Sequence, residues 1–332
     1  MIIEISAFIT AHAGDGIEKC QDSFSLNLQN KSFAISDGVS NSLYPQVWSK
    51  LLTESYSYQI WEIEDDLVIP FDKLVPKYES IVNEEYAKLN DDEKFCFELS
   101  REKCPLGAAT LLGLRINERT VTMNTIGDST LFVYNANENN LKFSSSMGVG
   151  DCIEYGNEPH CILSNRTLVG KILTKHFELS NGYIFLMTDA LSEWFYNSNQ
   201  NINENIEDLS NLRDHSDFQN FIDRLRREHK LHDDDMTLVV LKISEEEAPG
   251  LVFRGNHIDN IQSILLEEKE QELANCKDNL QRAVSDLEYE KTKVTRLKVE
   301  NESLNNKLQS MKARYNDFVR KIKRLIDEET FS

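Results

Sequence analysis

The sequence predicts an α+β globular region followed by one long C-terminal helix of the coiled-coil type. Two observations support this class. Up to about residue 244, apolar runs of strand length are grouped together, and separate segments show helical spacing. From residue 266 to residue 325, apolar residues recur at alternating intervals of three and four, which is the pattern of a heptad repeat.

Strands are predicted where short apolar runs end in turn residues. The predicted strands are 3–9, 33–36, 110–116, 120–126, 130–134, 183–187 and 236–243. Turn residues, including Gly127, Asp128 and Ser129, separate the three consecutive runs between 110 and 134, which predicts an antiparallel meander. Helical spacing predicts helices at about 46–63, 71–90 and 216–230.

An acidic run after Ser244, with a Pro-Gly pair behind it, is typical of a linker. The predicted divisions are a globular domain at 1–244, a linker at 245–256 and a coiled coil at 257–329. No strand is predicted after this break. Residues 1–250 are therefore expected to be monomeric alone and to contain every candidate site residue.

The C-terminal heptad seam is apolar at all but three positions, which are Lys269, Glu290 and Asn301. A helix with such a stripe needs a partner, and Asn301 falls at an a position, where Asn favours two parallel strands. The seam therefore predicts a homodimer. The alternative is a helix that folds back onto its own globular domain.

Composition excludes some partners. The 36 Lys and Arg residues stand against 56 Asp and Glu, for a formal net charge of −20. Neutralising nucleic-acid phosphates or adsorbing to anionic lipid requires a basic face, so neither partner is expected. No apolar run is long enough to span a membrane, and the first residues do not resemble a signal peptide. A cytoplasmic protein is predicted.

Acidic residues recur at the ends of predicted strands or in turns beside them. They are Asp22, Asp37, Asp128, Asp189 and the triplet Asp233, Asp234 and Asp235. Each one alone is more typical of a turn or a solvated loop. Together they can converge, and carboxylate oxygens, a backbone carbonyl and water are ligands that suit Mg²⁺ or Mn²⁺.

The order of short motifs along the chain resembles the metal-dependent protein serine/threonine phosphatases of type 2C, in a bacterial branch. The matching segments are Gln21-Asp22-Ser23-Phe24, Phe33-Ala-Ile-Ser-Asp-Gly38, Gly107-Ala-Ala-Thr-Leu111, Ile126-Gly-Asp-Ser129, Ile184-Phe-Leu-Met-Thr-Asp189 and Asp234-Asp-Met-Thr-Leu-Val-Val240. The resemblance covers about residues 1 to 244. It implies a central two-sheet β-sandwich flanked by helices, with metal ions in a cleft between the sheets.

The resemblance also implies a role for each acid. Asp37 would bridge two ions of Mg²⁺ or Mn²⁺, and Gly38 would lend its carbonyl oxygen. Asp189 and Asp234 would complete the first site, so that Asp37, Asp189 and Asp234 form the catalytic set. Asp128 with Asp189 would hold a looser third ion.

Asp22 matches a position that supports the second metal through water. The chain departs from the family pattern at Gln21, where Glu is usual, and more mildly at Ala190, which replaces a Gly, and at Asp235, which replaces an Asn. Gln21 removes one charge near the second metal.

A more serious departure is Ile17, which stands where many members have an Arg. Phosphate would then need another cation, and Lys19 and His12 are the nearby candidates. The sequence does not decide between them, and a lone His beside a strand end is more often structural.

The function implied by the resemblance is hydrolysis of phosphoserine and phosphothreonine on proteins by a water that two metal ions activate. Two rival hypotheses stay open. One is a catalytically weak pseudophosphatase that acts as a binding module, which Gln21 and Ile17 favour. The other is a coiled-coil assembly protein in which the globular part is a cap.

Overall fold

The computed structural model describes residues 1–58, 61, 68–149, 152–153, 159–198, 202–245 and 250–329. The chain divides into two units, Met1–Leu265 and Leu266–Ser332. The first unit is an α+β domain and the second consists of helix, so the predicted class is confirmed. Part of the predicted linker, 246–249, and the end of the first predicted helix lie outside the described residues.

The strands are β1 Ile2–Thr10, β2 Ser23–Asn27, β3 Ser32–Ser36, β4 Ala108–Ala109, β5 Leu111–Asn117, β6 Thr120–Ile126, β7 Thr130–Asn135, β8 Asn140–Ser144, β9 Gly148–Val149, β10 Cys152–Ile153, β11 Cys161–Leu163, β12 Leu168–Val169, β13 Leu173–Glu178, β14 Gly182–Met187, β15 Met236–Ser244 and β16 Val252–Ile258. The helices are α1 Pro45–Tyr58, α2 Phe71–Lys88, α3 Asp91–Lys103, α4 Asp189–Asn197, α5 Ile202–Ser210, α6 His215–Arg227 and α7 Ile261–Glu329. Among these, α3, α4 and α5 have no counterpart among the predicted helices.

Two sheets form the centre of the first unit. The larger has the strand order β16-β1-β15-β14-β7-β8, and the smaller has the order β13-β6-β5-β3-β2. Neighbouring strands are antiparallel except β1 and β16, which run parallel. Alternation along each strand sends one set of side chains between the sheets and the other set outward.

Apolar side chains fill three layers around these sheets. Ile5 and Leu114, from opposite sheets, belong to the cluster between them. On the outer face of the larger sheet, Phe185 packs with Phe218 and the other apolar residues of α4, α5 and α6. On the outer face of the smaller sheet, Trp48 of α1 belongs to a cluster that also includes α2 and α3. The β-sandwich flanked by helices is therefore confirmed.

The predicted meander is wrong in its third strand. β5 and β6 pair as expected, but β7 belongs to the other sheet, where it pairs with β14 and β8. The chain crosses between the sheets at Gly127, which has a φ of 111°. Glycine adopts this backbone conformation readily, whereas other residues would be strained in it. As a result, Asp128 lies where the chain passes from one sheet to the other.

The prediction that no strand follows the break near residue 250 is also wrong. Strand β16 occupies part of the predicted linker and pairs with β1, with Ile3 opposite Phe253. The chain returns to the sheet in β16 because β1 offers it an unpaired edge. The last helix consequently begins at Ile261 and not at residue 257.

The start of the last helix belongs to the globular unit. The segment 259–265 is called the α7 root below. Ile264 is buried in a small cluster with Ile9, Ala11, Ile17 and Cys20. Beyond the root, the side chains of α7 along the predicted seam, such as Leu280, Leu287 and Leu304, are exposed.

The side chain of Asp259 anchors the same root and is fully buried. Its Oδ2 accepts hydrogen bonds from the backbone N–H of Ile9, at 3.0 Å, and from Nδ1 of His215, at 2.8 Å. Its Oδ1 lies 2.9 Å from Nε2 of His257. Because a buried charge without partners is costly, these contacts fix the root against β1 and α6. Within the described residues, no helix combines the length and apolar character needed to cross a bilayer.

Candidate metal centre

The structure brings together five of the aspartates selected from the sequence. Asp37 follows β3, and Asp189, Asp22, Asp128 and Asp234 all act electrostatically on its carboxylate. The strands carrying these residues are distant in sequence, yet their ends meet at one end of the sandwich. Like charges at this range raise one another's pKa and favour the binding of a cation.

Asp22 and Asp128 are the most buried of the five, with 5% and 1% of their surface exposed. Neither oxygen of Asp22 makes a hydrogen bond of normal length, although the hydroxyls of Thr188 and Thr237 are near enough to lower its pKa, and Oδ1 of Asp128 also lacks a partner. Burial, followed by the charges of Asp235 and Asp189, raises the pKa of Asp22 well above its usual range. Burial likewise raises the pKa of Asp128 to about 6. Buried acceptors without partners call for an explanation, and a bound cation provides one.

Asp37 is held by its backbone. Its N–H donates to Oγ1 of Thr110 at 3.0 Å, and the N–H of Thr110 donates to the carbonyl of Asp37 at 2.8 Å. The Thr110 hydroxyl also lies 3.2 Å from that of Ser129, next to Asp128. Burial, and then the charge of Asp189, raises the pKa of Asp37 well above its usual range. Thr110 thus links the two strand ends that carry Asp37 and Asp128.

Gly38 occupies a site with no room for a side chain. A Cβ atom there would lie 2.8 Å from the carbonyl oxygen of Gln21 and 2.8 Å from Cβ of Pro45. Both neighbours are held in place, since Oγ of Ser49 in α1 donates to the Gln21 carbonyl at 2.7 Å. The close approach explains why glycine follows Asp37.

Asp189 is the first residue of α4, and its Oδ1 accepts a hydrogen bond from the N–H of Ala190 at 2.7 Å. Burial, with the charges of Asp128 and Asp234, raises the pKa of Asp189 to about 8. The strand ends before it are fastened together: the N–H of Thr237 donates to Oγ1 of Thr188 at 2.9 Å.

Asp235 organises the site, although the sequence suggested only a mild departure from the family pattern. Its Oδ1 accepts from the N–H of His12 at 2.7 Å, and its Oδ2 accepts from the N–H of Gln21 at 2.6 Å. Asp235 therefore connects the end of β1 to the residue before Asp22. The sequence does contain a signal for this role. Asp235 directly precedes a strand whose residues are buried, whereas the acids of a solvated loop need not adjoin a buried strand.

Arg226, in the last turn of α6, was also missed. Its Nη2 donates to the carbonyl of Ala11 at 3.0 Å and to the carbonyl of Asp234 at 2.9 Å, while its Nε lies 3.1 Å from Oδ1 of Asp233. Only 11% of its side chain is exposed. The guanidinium fixes the loop that presents Asp234. Helical spacing in the sequence gives no indication of such a distant contact.

The two cations suggested for phosphate both lie against carboxylates. Nε2 of His12 is 3.4 Å from Oδ2 of Asp233, and Nζ of Lys19 is 2.5 Å from Oδ1 of Asp15. Either cation would have to exchange its acidic partner for phosphate. Their role in phosphate binding stays a prediction. Ile17, where the resemblance leads one to expect an Arg, is buried against the α7 root.

The donor set of this site fits Mg²⁺ or Mn²⁺, because it consists of carboxylate oxygens, several of them buried without partners. Within the described ranges, no group of three or more His, Cys, Asp or Glu side chains is placed as it would be around a metal ion. The metal roles assigned to Asp22, Asp37, Gly38, Asp128, Asp189 and Asp234 therefore stay predictions.

Comparison with solved structures finds bacterial protein phosphatases. The serine/threonine phosphatase Stp1 from Staphylococcus aureus is 13% identical, with 74% of this chain and 96% of that chain covered and a TM-score of 0.47. PppA, a regulatory component of the type VI secretion system in Pseudomonas aeruginosa, is 12% identical, with 73% and 98% covered and a TM-score of 0.44.

The catalytic domain of the serine/threonine phosphatase PstP, solved with two manganese ions, is 15% identical, with 73% of this chain and 99% of that chain covered and a TM-score of 0.44. No protein-family model and no curated protein sequence matches this chain. Likeness at this level concerns the path of the chain, and the chemistry has to be argued from the residues of this protein.

Proposed function

We propose that this protein hydrolyses phosphoserine and phosphothreonine on other proteins in a reaction that requires Mg²⁺ or Mn²⁺. The observation that carries the proposal is the convergence of five aspartates, of which Asp22 and Asp128 have buried oxygens without a partner. A fold gains nothing in stability from such a cluster unless cations neutralise it. Divalent cations held by carboxylates are also a known means of cleaving phosphate esters.

When bound, the divalent ions would neutralise the phosphate and supply a water that is nucleophilic at neutral pH. The chain's own residues provide the frame for this chemistry. Asp37, Asp189 and Asp234 would hold the ions. Thr110 fixes the backbone of Asp37, and Arg226 fixes the loop of Asp234.

A cysteine nucleophile is a poor alternative at this site. Cys20 lies two residues before Asp22 and is buried. Burial, with the charges of Asp22 and Asp235, raises the pKa of its thiol well above the usual range, so the thiol stays protonated. The cysteine side chains that the structure describes are free thiols, which suits the reducing cytoplasm in which we place the protein.

The second candidate function is a pseudophosphatase. One observation favours it: Ile17 is buried in an apolar cluster, so the position that would carry a phosphate-binding Arg carries none. Gln21 adds to this, since its Oε1 is buried without a partner and cannot contribute a charge. Such a protein would bind metal ions and phosphoproteins with little turnover.

We expect turnover of p-nitrophenyl phosphate to vanish in EDTA and to return with Mn²⁺ or Mg²⁺. The melting temperature should rise on adding either ion, because the cation binds only the folded cluster. Both quantities are measured on the same full-length preparation, with Ca²⁺ as a second divalent control. Full activity in chelator would overturn the two-metal mechanism, whereas a raised melting temperature without turnover would support the pseudophosphatase.

We also propose that two chains pair through the seam of α7. Replacing both Leu304 and Leu308 with Asp should give a monomer, because each Leu contributes about 1.5–3 kcal/mol when buried and a charge in a dry seam is costly. Light scattering of the full-length protein gives the mass directly. The matched control replaces Ser303 and Asn306, which occupy the outward c and f positions, with Asp and should stay dimeric. A monomeric wild type at high micromolar concentration would contradict the pairing.

A further inference from the structure

A pocket of about 550 Å³ opens beside the candidate metal centre. We call it the α4 pocket, and its lining includes Glu193, Trp194, Lys230 and His232. Glu193 lies four residues after Asp189 in α4, so the two side chains occupy one face of the helix about one turn apart. The charge of Glu193 reaches Asp189. The pocket therefore begins about 5 Å along the helix from the proposed reaction site.

Basic groups stand along one side of this pocket in a chain that is strongly acidic. Lys230 and His232 come from the segment after α6, and His229 of the same segment also lines the pocket. The Lys230 and His232 side chains are 60% and 83% exposed, and their acidic neighbours are Glu228, at 2.7 Å, and Glu193, at 3.6 Å. Exposed pairs of this kind are weak, so an incoming carboxylate can compete with Glu228 for Lys230 and with Glu193 for the His232 ring.

The backbone builds this basic side. His229 adopts a left-handed conformation with φ of 54°, and the N–H of Lys230 donates to the carbonyl of Leu225 at 3.0 Å. This bond closes the end of α6 in the manner of a Schellman cap. Leu231 then packs against the core cluster that contains Trp194. The position of Lys230 is therefore set by the fold, as a binding surface requires.

We propose that the α4 pocket binds an acidic side chain of the phosphoprotein substrate, two or three residues from the phosphorylated one. The inference rests on the proposed function, since it places the phosphate at the aspartate cluster. An extended peptide advances about 3.3 Å per residue, so two or three residues span about 7–10 Å and reach from the cluster into the pocket. Lys230 and His232 would select Asp or Glu there over neutral side chains.

The test is a binding measurement that does not require turnover. Fluorescein-labelled peptides of nine residues carry a non-hydrolysable phosphonate analogue of phosphoserine at the centre, with Glu or Gln at the positions two and three residues away on both sides. Fluorescence polarisation with the full-length protein and Mn²⁺ gives each dissociation constant. We expect the Glu peptide to bind roughly tenfold more tightly than the Gln peptide.

The double substitution Lys230→Glu and His232→Glu should abolish this preference. Lys230→Arg should retain it, which separates loss of charge from loss of fold. Lys77→Glu is the matched control, because Lys77 is 59% exposed and also faces an acid, Glu54, but lies on α2. Equal affinity for both peptides in the wild type, or a preference that survives the double substitution, would overturn the inference.

Failure of the proposed function has a different signature. Suppose that p-nitrophenyl phosphate is not hydrolysed with any metal, while the Glu peptide still binds more tightly and the double substitution Lys230→Glu and His232→Glu removes that preference. The binding role of the α4 pocket is then supported and the phosphatase activity is rejected. If turnover depends on metal but both peptides bind with equal affinity, the phosphatase activity is supported and the α4 pocket does not bind acidic side chains of the substrate.

Discussion

Replacing Asp37 with Asn should abolish metal-dependent turnover and, in chelator, raise the melting temperature. Turnover should fall roughly a thousandfold or more, because Asp37 is the proposed ligand shared by both ions. The stability effect has the opposite sign. The pKa of Asp37 is raised in the folded protein, so its ionised form destabilises the fold at neutral pH, which lies above the pKa of the unfolded chain. Each kcal/mol gained adds about 2–4 °C.

Turnover of p-nitrophenyl phosphate in Mn²⁺ and thermal melting in EDTA check the two parts. Asp72→Asn serves as the control, because Asp72 lies in the exposed first turn of α2 and should change neither quantity. A variant at Asp37 that turned over like the wild type would refute the site assignment. If Asp37→Asn had a lower melting temperature than the wild type in chelator, repulsion among the ionised aspartates would not be destabilising the metal-free fold.

Ending the chain at residue 250 should unfold the globular unit, whereas ending it at residue 265 should preserve its fold. The shorter chain lacks β16, Asp259 and Ile264, which belong to the globular unit. Loss of Asp259 leaves the N–H of Ile9 without a partner, at about 1–3 kcal/mol, and Ile264 contributes about 1.5–3 kcal/mol more. This replaces the expectation from the sequence that residues 1–250 suffice.

Circular dichroism melting and metal-dependent turnover of the two truncated chains measure the difference. We expect 1–265 to melt within a few degrees of the full chain and 1–250 to be aggregated or unfolded at 37 °C. Asp259→Ala in the full chain is the corresponding point test and should lower the melting temperature by several degrees. A stable, active 1–250 would show that the α7 root is dispensable.

The aspartates chosen from the sequence lie near one another in the structure, and they could be chosen because strand ends are local features. Asp37, Asp128 and Asp189 each follow an apolar run, and a sandwich gathers such ends at one side. The sequence did not predict the contacts that hold them. Thr110, Arg226 and Asp235 contact residues of other elements between 8 and 223 positions away, and periodicity within one element carries no information about such contacts.

The same limit explains the errors in the fold. β7 has the alternation of a meander strand, and only the turn at Gly127 moves it to the other sheet. β16 carries Gly255 at its centre and follows a Pro-Gly pair in the sequence, so its own residues favour a linker. Its pairing depends on the free edge of β1, more than 240 residues earlier in the chain. By contrast, the long helix α7 forms where the heptad pattern predicts it, because the backbone hydrogen bonds of a helix join residues only four positions apart.

The contact between Ile17 and Ile264 has a consequence for which parts of the chain the globular unit requires. An apolar residue at position 17 is tolerated because the α7 root covers it, and the root is stable there because position 17 is apolar. Replacing Ile17 with Arg would bury a guanidinium against Ile264, and deleting the α7 root would expose the cluster to water. Either change alone is harmful, so each of the two features is needed for the other. The α7 root is therefore required by the globular unit whether or not the rest of α7 has a role.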